Sequence, residues 1–277
     1  MTYLHLVKRL TDIGSDAPSH EAAEIVRVTL GKSREWCLAN RDAVLPQSID
    51  DVFIKRENGI PLQYILGEAW FYGNRFIVSP DCLIPQPDTE HCVSIALSYL
   101  NTGGQLLDLC TGSGCIAISI IKENTTAHGV AVDISTDALE IAKQNSVDNA
   151  TADRLSLIHA DVFSDEIIPL VRDADVIVSN PPYINTDVID TLSIEVQHEP
   201  RIALDGGADG MIFYRHFIEK LTKHMKPSAV MILELGYDQS ERITELCDVN
   251  NLTCRLHRDF GGNIRVAEIR VKTADCE

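Results

Sequence analysis

The stretch QLLDLCTGSGCIAIS, residues 105–119, decides the fold, because it joins an apolar strand, a glycine-containing turn and an apolar helix in direct succession. From there to residue 271, segments of strand and helix character alternate. This alternation predicts an α/β fold with a parallel, doubly wound sheet. In such sheets ligands bind outside the carboxyl ends of the strands, so the residues that follow each strand are the candidates for function.

The last two strand candidates depart from this pattern. NLTCRLHRD and NIRVAEIRV, residues 251–259 and 263–271, are joined only by FGG. A parallel crossover needs a dozen or more residues, so this pair is predicted to form an antiparallel hairpin at the edge of a mostly parallel sheet.

The first part of the chain is predicted to be helical. Three segments have apolar residues at helical spacing and end at a glycine: residues 3–14, 19–31 and 48–59. Ser19 is expected to cap the second of them. We interpret this part as a small recognition domain, since no residue pattern in it indicates catalysis.

An aromatic, β-branched stretch follows. WFYGNRFIVSP, residues 70–80, predicts a hairpin that turns at Gly73-Asn74. Together these patterns predict three parts: an N-terminal helical domain at 1–66, a β-hairpin linker at 67–87 and the ligand-binding domain at 88–277.

Charge argues against a nucleic-acid partner. The formal net charge is -17, and residues 1–66 hold 8 basic and 9 acidic residues, so nearly all of the charge falls in residues 67–277. Nucleic-acid-binding surfaces instead carry basic residues that neutralise phosphates.

The eight cysteines include no C-x-x-C pair and often lie in apolar runs, which predicts reduced, buried thiols. No run reaches the roughly 18 apolar residues of a membrane span, and the first residues lack an apolar signal core. We predict a cytoplasmic protein with no membrane partner and no metal site.

The turn after the first strand of the alternating region predicts a cofactor site. Gly112-x-Gly114-x-x-Ala117 lets a ligand approach the backbone at the start of a helix. Asp133 ends the next strand, 19 residues past Gly114, where an acid would hold ribose hydroxyls. The pattern favours an adenosine-containing cofactor and leaves open a nicotinamide dinucleotide or S-adenosylmethionine. The alternative is a tight turn with a solvated Asp133.

Two further strand ends carry acids. Asp161 ends the third strand, where it could accept from an adenine amino group with Val162 against the ring. An aspartate in such a place is often only a helix cap. It gains weight as the third strand-end acid in sequence, after Asp108 and Asp133.

The fourth strand, within VIVSNPPYIN at residues 176–185, ends in Asn180-Pro181-Pro182-Tyr183. A planar NH2 group is a poor nucleophile, so a site must bind both of its N–H bonds and leave one face open. The side-chain oxygen of Asn180 and the backbone carbonyl of Pro181 are suitable acceptors, and neither proline has a competing N–H. Tyr183 can stack on the planar group. The alternative is a strand that ends in a proline turn.

At this point several stretches resemble a known family. NPPY with DLCTGSG is similar to class I, Rossmann-like S-adenosylmethionine-dependent methyltransferases that act on planar amino groups. GIPLQYILGEAWFYGNRFIVSPDCLIPQPDTE, VDISTDAL and EPRIALDGGADGMIFYR narrow the resemblance to the PrmC (HemK) family of peptide release factor glutamine methyltransferases. The resemblance covers the chain from about residue 59 to its end.

The resemblance implies methylation of the glutamine in the Gly-Gly-Gln loop of class-1 release factors, with S-adenosylmethionine as cofactor. The cofactor would be contacted by Asp108, Cys110, Thr111, Gly112, Ser113, Gly114, Asp133, Asp161, Val162 and Asn180. The glutamine would be held by Asn180, Pro181, Pro182, Tyr183 and Phe71, with Asn180, Pro181 and Tyr183 in the catalytic role.

Two positions depart from the family pattern. Gln86 stands where the family usually has arginine, which removes a cation near the cofactor. Cys110 stands where it usually has glycine; a cysteine fits there if its φ is negative. Glu199, in EVQHEP, is expected to be a cap or a solvated residue, with a substrate contact as the alternative.

Three rival functions remain open. A sister enzyme methylates a glutamine of a large-subunit ribosomal protein; AWFYGNRF fits it, whereas PLQYI and PQPDTE favour the release-factor type. An adenine-amino DNA methyltransferase uses a similar loop on a flipped base but needs a basic groove. A non-catalytic cofactor-binding protein would not need Asn180.

Overall fold

The structure is a computed structural model that describes residues 1–100, 103–259 and 261–272. Within these ranges the helices are α1 (Tyr3–Asp12), α2 (Pro18–Leu30), α3 (Arg34–Ala39), α4 (Gln47–Glu57), α5 (Leu62–Leu66), α6 (Glu90–Tyr99), α7 (Cys115–Glu123), α8 (Thr136–Asp148), α9 (Ile168–Asp173), α10 (Ile212–Glu219) and α11 (Ser240–Val249). The strands are β1 (Glu68–Phe71), β2 (Asn74–Ile77), β3 (Gln105–Leu109), β4 (His128–Asp133), β5 (Leu155–His159), β6 (Val176–Ser179), β7 (Val230–Glu234), β8 (Leu252–Arg258) and β9 (Ile264–Val271).

The described residues form two compact units. One consists of Met1–Glu68 together with Ser193–His198, and the other holds the remaining described residues. Helices α1–α5 make up the first unit. Its core contains the three buried residues of α1, Tyr3, Leu6 and Leu10, which recur at helical spacing.

The helices of this unit differ in detail from the prediction. The second helix begins at Pro18 after Ala17, so Ser19 is not its cap; proline suits the first helical position because its missing N–H has no intrahelical partner there. Helices α3 and α5, of six and five residues, were not predicted because they are too short to show a periodic pattern.

The predicted hairpin is present as β1 and β2, but its turn lies one residue earlier than expected. Tyr72 and Gly73 occupy the turn, with φ of 49° and 72°. Two successive positive φ values match the right-handed twist of the strands. The side chain of Asn74 donates to the carbonyl of Tyr72 at 2.9 Å instead of forming the turn.

Seven strands of the second unit form one sheet in the order β5-β4-β3-β6-β7-β9-β8. Strands β3 to β7 are parallel, whereas β9 runs antiparallel to both β7 and β8. The mostly parallel sheet with an antiparallel hairpin is therefore confirmed. Consecutive residues of one strand point to opposite faces, so Ile177 joins the core with α9–α11 and Val178 the core with α6 and α7.

The strand order reverses between β3 and β6. The chain runs outward through β3, β4 and β5 and then returns to the other side of β3 as β6. Loops diverge at such a reversal and leave a crevice at the carboxyl ends of the strands. The glycine turn after β3 and Asn180 after β6 both lie at this crevice.

Candidate active site

Four strands end in register at the crevice. Leu109 of β3 is paired with Val132 of β4 on one side and with Ser179 of β6 on the other, and Ser179 is paired with Leu233 of β7. The next residue of each strand therefore lies at the same edge of the sheet: Cys110, Asp133, Asn180 and Glu234. Three of these were predicted as site residues, and Glu234 was not.

The glycine loop after β3 has the backbone shape that its composition predicts. Gly112 and Gly114 have φ of 56° and 80°. A Cβ on Gly114 would lie 2.8 Å from Ile118 Cδ1 and 3.2 Å from Ala142 Cβ, so Gly114 allows α7 and α8 to pack closely. A Cβ on Gly112 would meet nothing within 4 Å. A ligand can therefore approach the backbone at Gly112.

Cys110 corrects an expectation. We accepted a cysteine here on condition that its φ is negative, but its φ is 60°. The left-handed conformation brings Cβ close to the following carbonyl oxygen and costs a non-glycine residue roughly 1–2 kcal/mol. The loop thus keeps the conformation that a glycine would adopt without strain, although the residue carries a side chain.

Asp133 holds the loop from the neighbouring strand. Its Oδ2 accepts from the Gly112 N–H at 2.8 Å and its Oδ1 from the Ser135 N–H at 2.9 Å. Burial raises the pKa of Asp133, and the hydrogen bonds from the backbone amides oppose that rise. The carboxylate lines the cleft beside the loop.

Asp108 lies beneath the loop instead of in the cleft. It is fully buried, and its Oδ2 accepts from the Thr111 hydroxyl at 2.6 Å. Burial raises its pKa to about 7. The residue supports the loop from below, which differs from the cofactor contact that we expected.

The cleft outside β3, β4 and β5 has a volume of about 200 Å³. Its walls include three acids, Asp81, Asp133 and Asp161, and the apolar side chains of Val162 and Phe213. Oδ1 of Asp161 also accepts from the Phe163 N–H at 2.9 Å, within the turn after β5. This aspartate is not the helix cap that we gave as the alternative, because Ser164 caps the helical turn that follows.

A smaller cavity of about 40 Å³ adjoins the cleft. It is lined by Thr111 and Ser113 of the loop, which were predicted site residues, and by Thr89. Both cavities are lined in part by Cys110, Gly112, Leu83 and Asn180. The residues present fit an adenosine-containing cofactor: an acid for ribose hydroxyls, apolar walls for a ring, and an open backbone at Gly112.

Asn180 is half-buried and lines both cavities. Its Nδ2 donates to the Thr89 hydroxyl at 3.2 Å. Pro181 and Pro182 follow, both buried, and neither has an N–H. The segment therefore brings Asn180 and Pro182 to the cleft, and its two prolines carry no backbone donor.

Tyr183 closes the segment and is held from outside. Its carbonyl accepts from Gln239 Nε2 at 3.0 Å, and its ring packs against the core on the α10 face. A Cβ on Gly206 would lie 2.7 Å from Tyr183 Cα and 2.9 Å from the carbonyl oxygen of Pro182. Burial raises the pKa of Tyr183, so its phenol stays neutral.

Three supporting residues escaped the sequence analysis: Thr89, Glu234 and Gln239. Glu234 was detectable, because it ends a strand as Asp133 does. Thr89 lies in PQPDTE, which we used only to compare families. Gln239 gave no signal, since a glutamine five residues beyond a strand matches no pattern.

Phe71 requires a correction. We expected it to contact the substrate, but it is 1% exposed and its ring packs edge-on against Phe76 at 6.1 Å between centroids. Side chains alternate along β1, so the neighbouring Trp70 is the exposed aromatic residue, at 58%. Phe71 is a core residue.

Glu199 contacts segment 83–87, and Gln86 is part of that segment. Oε2 of Glu199 accepts from the Ile84 N–H at 3.0 Å, and burial raises the pKa of Glu199 to about 6. Gln86 is exposed and donates to the Ile84 carbonyl at 3.2 Å. Glu199 therefore holds this segment in place, a role that differs from the cap or solvated residue that we expected.

Comparison with known proteins places this site in a family. Residues 3–67 match the model of the PrmC N-terminal domain, and residues 92–209 match that of the methyltransferase small domain. The release factor glutamine methyltransferase of Caulobacter vibrioides is 35% identical over 249 residues, which cover 86% of this chain and 84% of that protein. The chain belongs to the family of release factor glutamine methyltransferases. The predicted resemblance to this family is confirmed.

A second relative is longer. The bifunctional methyltransferase of Rickettsia bellii is 34% identical over 295 residues, which cover 94% of this chain. The chain spans about half, 52%, of the length of that protein.

Among solved structures, a methyltransferase from Pyrococcus furiosus has the same fold. Its TM-score is 0.52 at 17% identity, and the match covers 81% of this chain and 98% of that one. Within the described part of this family member, no helix is long and apolar enough to cross a membrane, and no three His, Cys, Asp or Glu side chains are grouped as metal ligands would be.

Proposed function

We propose that this protein transfers a methyl group from S-adenosylmethionine to the side-chain amide nitrogen of the glutamine in the Gly-Gly-Gln motif of class-1 peptide chain release factors. The observation that carries the proposal is the Asn180-Pro181-Pro182 segment, which offers acceptors and no proline N–H beside the cleft. The membership of the chain in the family and the names of its relatives support it.

The cleft residues have distinct roles toward the cofactor. Asp133 would accept from the ribose hydroxyls, while Val162 would pack against the adenine and Asp161 would accept from its amino group. The loop from Cys110 to Gly114 would approach the remainder of the cofactor with its backbone, with Thr111 and Ser113 at the adjoining cavity. When bound, S-adenosylmethionine supplies an electrophilic methyl group on a sulfonium.

Asn180 and Pro181 would position the nucleophile. An amide nitrogen delocalises its lone pair into the carbonyl, so it reacts only when held in line with the methyl group. Asn180 Oδ1 and the Pro181 carbonyl would each accept one of the two N–H bonds, and Tyr183 would pack against the planar amide. These fixed dipoles stabilise the positive charge that develops on nitrogen as the N–C bond forms and the S–C bond breaks.

The proton balance needs no buried base. The methylated nitrogen carries two protons and a positive charge, which makes it a strong acid. One proton therefore leaves to solvent and restores the planar amide with a single N–H.

The domain boundaries belong to the same proposal. We assign docking of the release factor to the helical residues 1–66, with the linker at 67–87 and catalysis in 88–277. A protein substrate, with no direct nucleic-acid contact, is in accord with the net charge of -17. The place of action would be the cytoplasm, where release factors work.

The test is transfer of labelled methyl groups to a purified class-1 release factor. The same factor with its Gly-Gly-Gln glutamine changed to alanine is the substrate control. Asn180→Ala is the enzyme variant, and Asn250→Ala is its match, because the Asn250 amide also donates one hydrogen bond, 2.8 Å to the Leu246 carbonyl, away from the site.

We expect label on the wild-type factor only, lost with Asn180→Ala and kept with Asn250→Ala. Label on a ribosomal protein or on DNA, with none on the release factor, would overturn the substrate assignment. No turnover of S-adenosylmethionine with any of these substrates would overturn the enzymatic function.

A further inference from the structure

A buried polar pair lies behind Asn180. The Thr89 hydroxyl donates to Glu234 Oε2 at 2.5 Å, and Asn180 Nδ2 donates to the same Thr89 oxygen at 3.2 Å. Thr89 is 2% exposed and Glu234 is 3% exposed, so water does not replace either contact. The three side chains come from positions 89, 180 and 234, and the fold brings them into one chain of hydrogen bonds.

When Glu234 is ionised, only one arrangement of donors and acceptors is possible along this series of hydrogen bonds. An ionised carboxylate accepts and cannot donate. The Thr89 hydroxyl must therefore give its proton to Glu234, which leaves the Thr89 oxygen to accept from Asn180. Only the Nδ2 arm of the Asn180 amide can supply that hydrogen, so Oδ1 becomes the arm that is available to a ligand.

This orientation decides whether the site can bind an NH2 group. An asparagine amide has nearly the same shape in its two flipped orientations, and its hydrogen-bond partners decide between them. If Asn180 were flipped, it would present its own N–H groups to the N–H groups of the substrate. Two donors would then face each other, and the substrate amide would lose one of its two acceptors.

We propose that Thr89 and Glu234 are positioning residues that fix the Asn180 amide with Oδ1 toward the substrate and Nδ2 toward the protein. The inference rests on the proposed function, since it explains how that same site distinguishes an NH2 group. It also gives PQPDTE a role in the site: its threonine orients the residue that holds the nucleophile.

A purely structural role of Glu234 would give a different result when the residue is substituted. The Glu234 carboxylate accepts from the Thr89 hydroxyl, and the Thr89 oxygen in turn accepts from the Asn180 amide. Burial raises the pKa of Glu234 to about 7, which the hydrogen bond from Thr89 opposes. A buried acid that served only packing would be replaced by an apolar residue of similar shape without loss of turnover.

The experiment compares Thr89→Val with Thr89→Ser in the full chain. Valine keeps the shape of threonine and removes the hydroxyl, whereas serine keeps the hydroxyl. Thr222→Val is the matched control, because Thr222 is also buried and its hydroxyl donates to the Ile218 carbonyl, outside the site. Measurements are kcat and KM for the release factor, Kd for S-adenosylmethionine and the thermal midpoint of unfolding.

We expect Thr89→Val to lower kcat about 100-fold, as small misplacements of reacting groups do, with Kd for the cofactor changed less than about threefold. Thr89→Ser should restore kcat to within about fivefold of wild type, and Thr222→Val should lose stability without loss of kcat. Wild-type kcat in Thr89→Val would overturn the inference, as would an equal loss in Thr89→Ser.

Glu234→Met is the second variant, since methionine has a similar length and cannot accept the threonine proton. If it folds, we expect a loss of kcat comparable to that of Thr89→Val, and wild-type kcat would overturn the role of Glu234. If Glu234→Met does not fold, the comparison of Thr89→Val with Thr89→Ser tests the inference by itself. Failure of the proposed function is distinguishable, because the wild-type enzyme would then not label the release factor at all.

Discussion

The two loops that flank the strand-order reversal are built in opposite ways. The loop after β3 carries its shape mainly in its own backbone, where Cys110, Gly112 and Gly114 have positive φ, and Asp133 anchors it from the neighbouring strand. The segment after β6 has no positive φ at its four described residues, 180–183, and is held by side chains and close backbone contacts from elsewhere in the chain.

This difference teaches where each loop is vulnerable. A loop whose conformation depends mainly on its own φ values is altered by changes to its own residues or to the side chain that anchors it. An externally held segment is altered by changes far away in sequence, at the positions that support it. Two kinds of substitution test this contrast. A change at the first loop should alter the Kd for the cofactor, and a change at a residue that supports the second segment should alter kcat.

The largest effect is expected at Gly206, which supports the second segment from outside. A Cβ in Gly206→Ala would come within 2.7 Å of Tyr183 Cα, so the segment must move. A displacement of this size costs about 100-fold in kcat. We expect this loss in steady-state kinetics with the release factor, while Kd for the cofactor changes little.

The exposed Gly261→Ala serves as a control, because a Cβ there meets only the side chains of Asp259 and Asn263. An equal rise in cofactor Kd and fall in kcat for Gly206→Ala would break the contrast between the loops.

The next effect concerns two buried carboxyl groups, one next to each loop. Burial raises the pKa of Asp108, beneath the first loop, and of Glu234, behind the second, each to about 7. Their unfolded values lie near 4, so the native state holds these protons more tightly than the unfolded chain. Their contribution to the free energy of unfolding is therefore largest near pH 4 and is lost as pH rises to about 7.

Each group is expected to contribute on the order of 3 kcal/mol to this loss. Urea unfolding of Asp108→Asn and Glu234→Gln between pH 4.5 and 8 measures it. Each variant should have a shallower pH dependence than wild type, and Glu140→Gln, an exposed acid, should not. A slope that is unchanged in both variants would contradict the assignment of these groups.

A smaller effect is expected from Asp133→Asn, which removes the acceptor that anchors the first loop. The asparagine NH2 would face the N–H of Gly112 or Ser135, and the ribose would lose a charged acceptor. We expect Kd for S-adenosylmethionine to rise about tenfold, measured by calorimetry. At saturating cofactor, kcat should change less than about threefold.

The exposed Asp137→Asn, four residues on, is the matched control and should bind the cofactor as wild type does. If Asp133→Asn lowers kcat and leaves Kd unchanged, the first loop does not serve the cofactor in the way that we propose.

The smallest effect is expected at Cys110. Glycine adopts the φ of 60° without strain, so Cys110→Gly should raise the free energy of unfolding by about 1 kcal/mol or less, after the greater chain entropy of glycine is deducted. Denaturant unfolding measures this. Cys110→Ala keeps the Cβ and should not be stabilised; a gain in alanine as large as in glycine would show that the sulfur and not the backbone is responsible.

The sequence predicts those parts of the site that depend on local pattern. Strand ends are marked by apolar runs, and parallel strands bring their ends to one edge, so Asp133 and Asn180 could be placed together before any coordinates. Gly112 and Gly114 were predictable because their conformation requires glycine.

The remainder depends on contacts between distant positions. Thr89 and Gln239 act on residues 180–183 across long stretches of sequence, and no local pattern marks such partners. Glu234 was detectable as a strand-end acid, but nothing in the sequence linked it to Thr89 and Asn180. The failure at Phe71 has a different cause, since an aromatic stretch does not reveal which face of a short strand is buried. The positive φ of Cys110 was not predicted, because the loop imposes this conformation and a cysteine does not indicate it.

The helical unit is formed by two parts of the chain that are far apart in sequence, which affects when it can fold during synthesis. Its buried apolar side chains come from residues 3–53, but the segment Ser193–His198 also belongs to it, with Glu195 bonded to Arg56 at 2.7 Å. A ribosome adds more than a hundred residues between these parts. The helices can therefore assemble early on the growing chain, whereas the unit is complete only after β6 and the NPPY segment have left the exit tunnel.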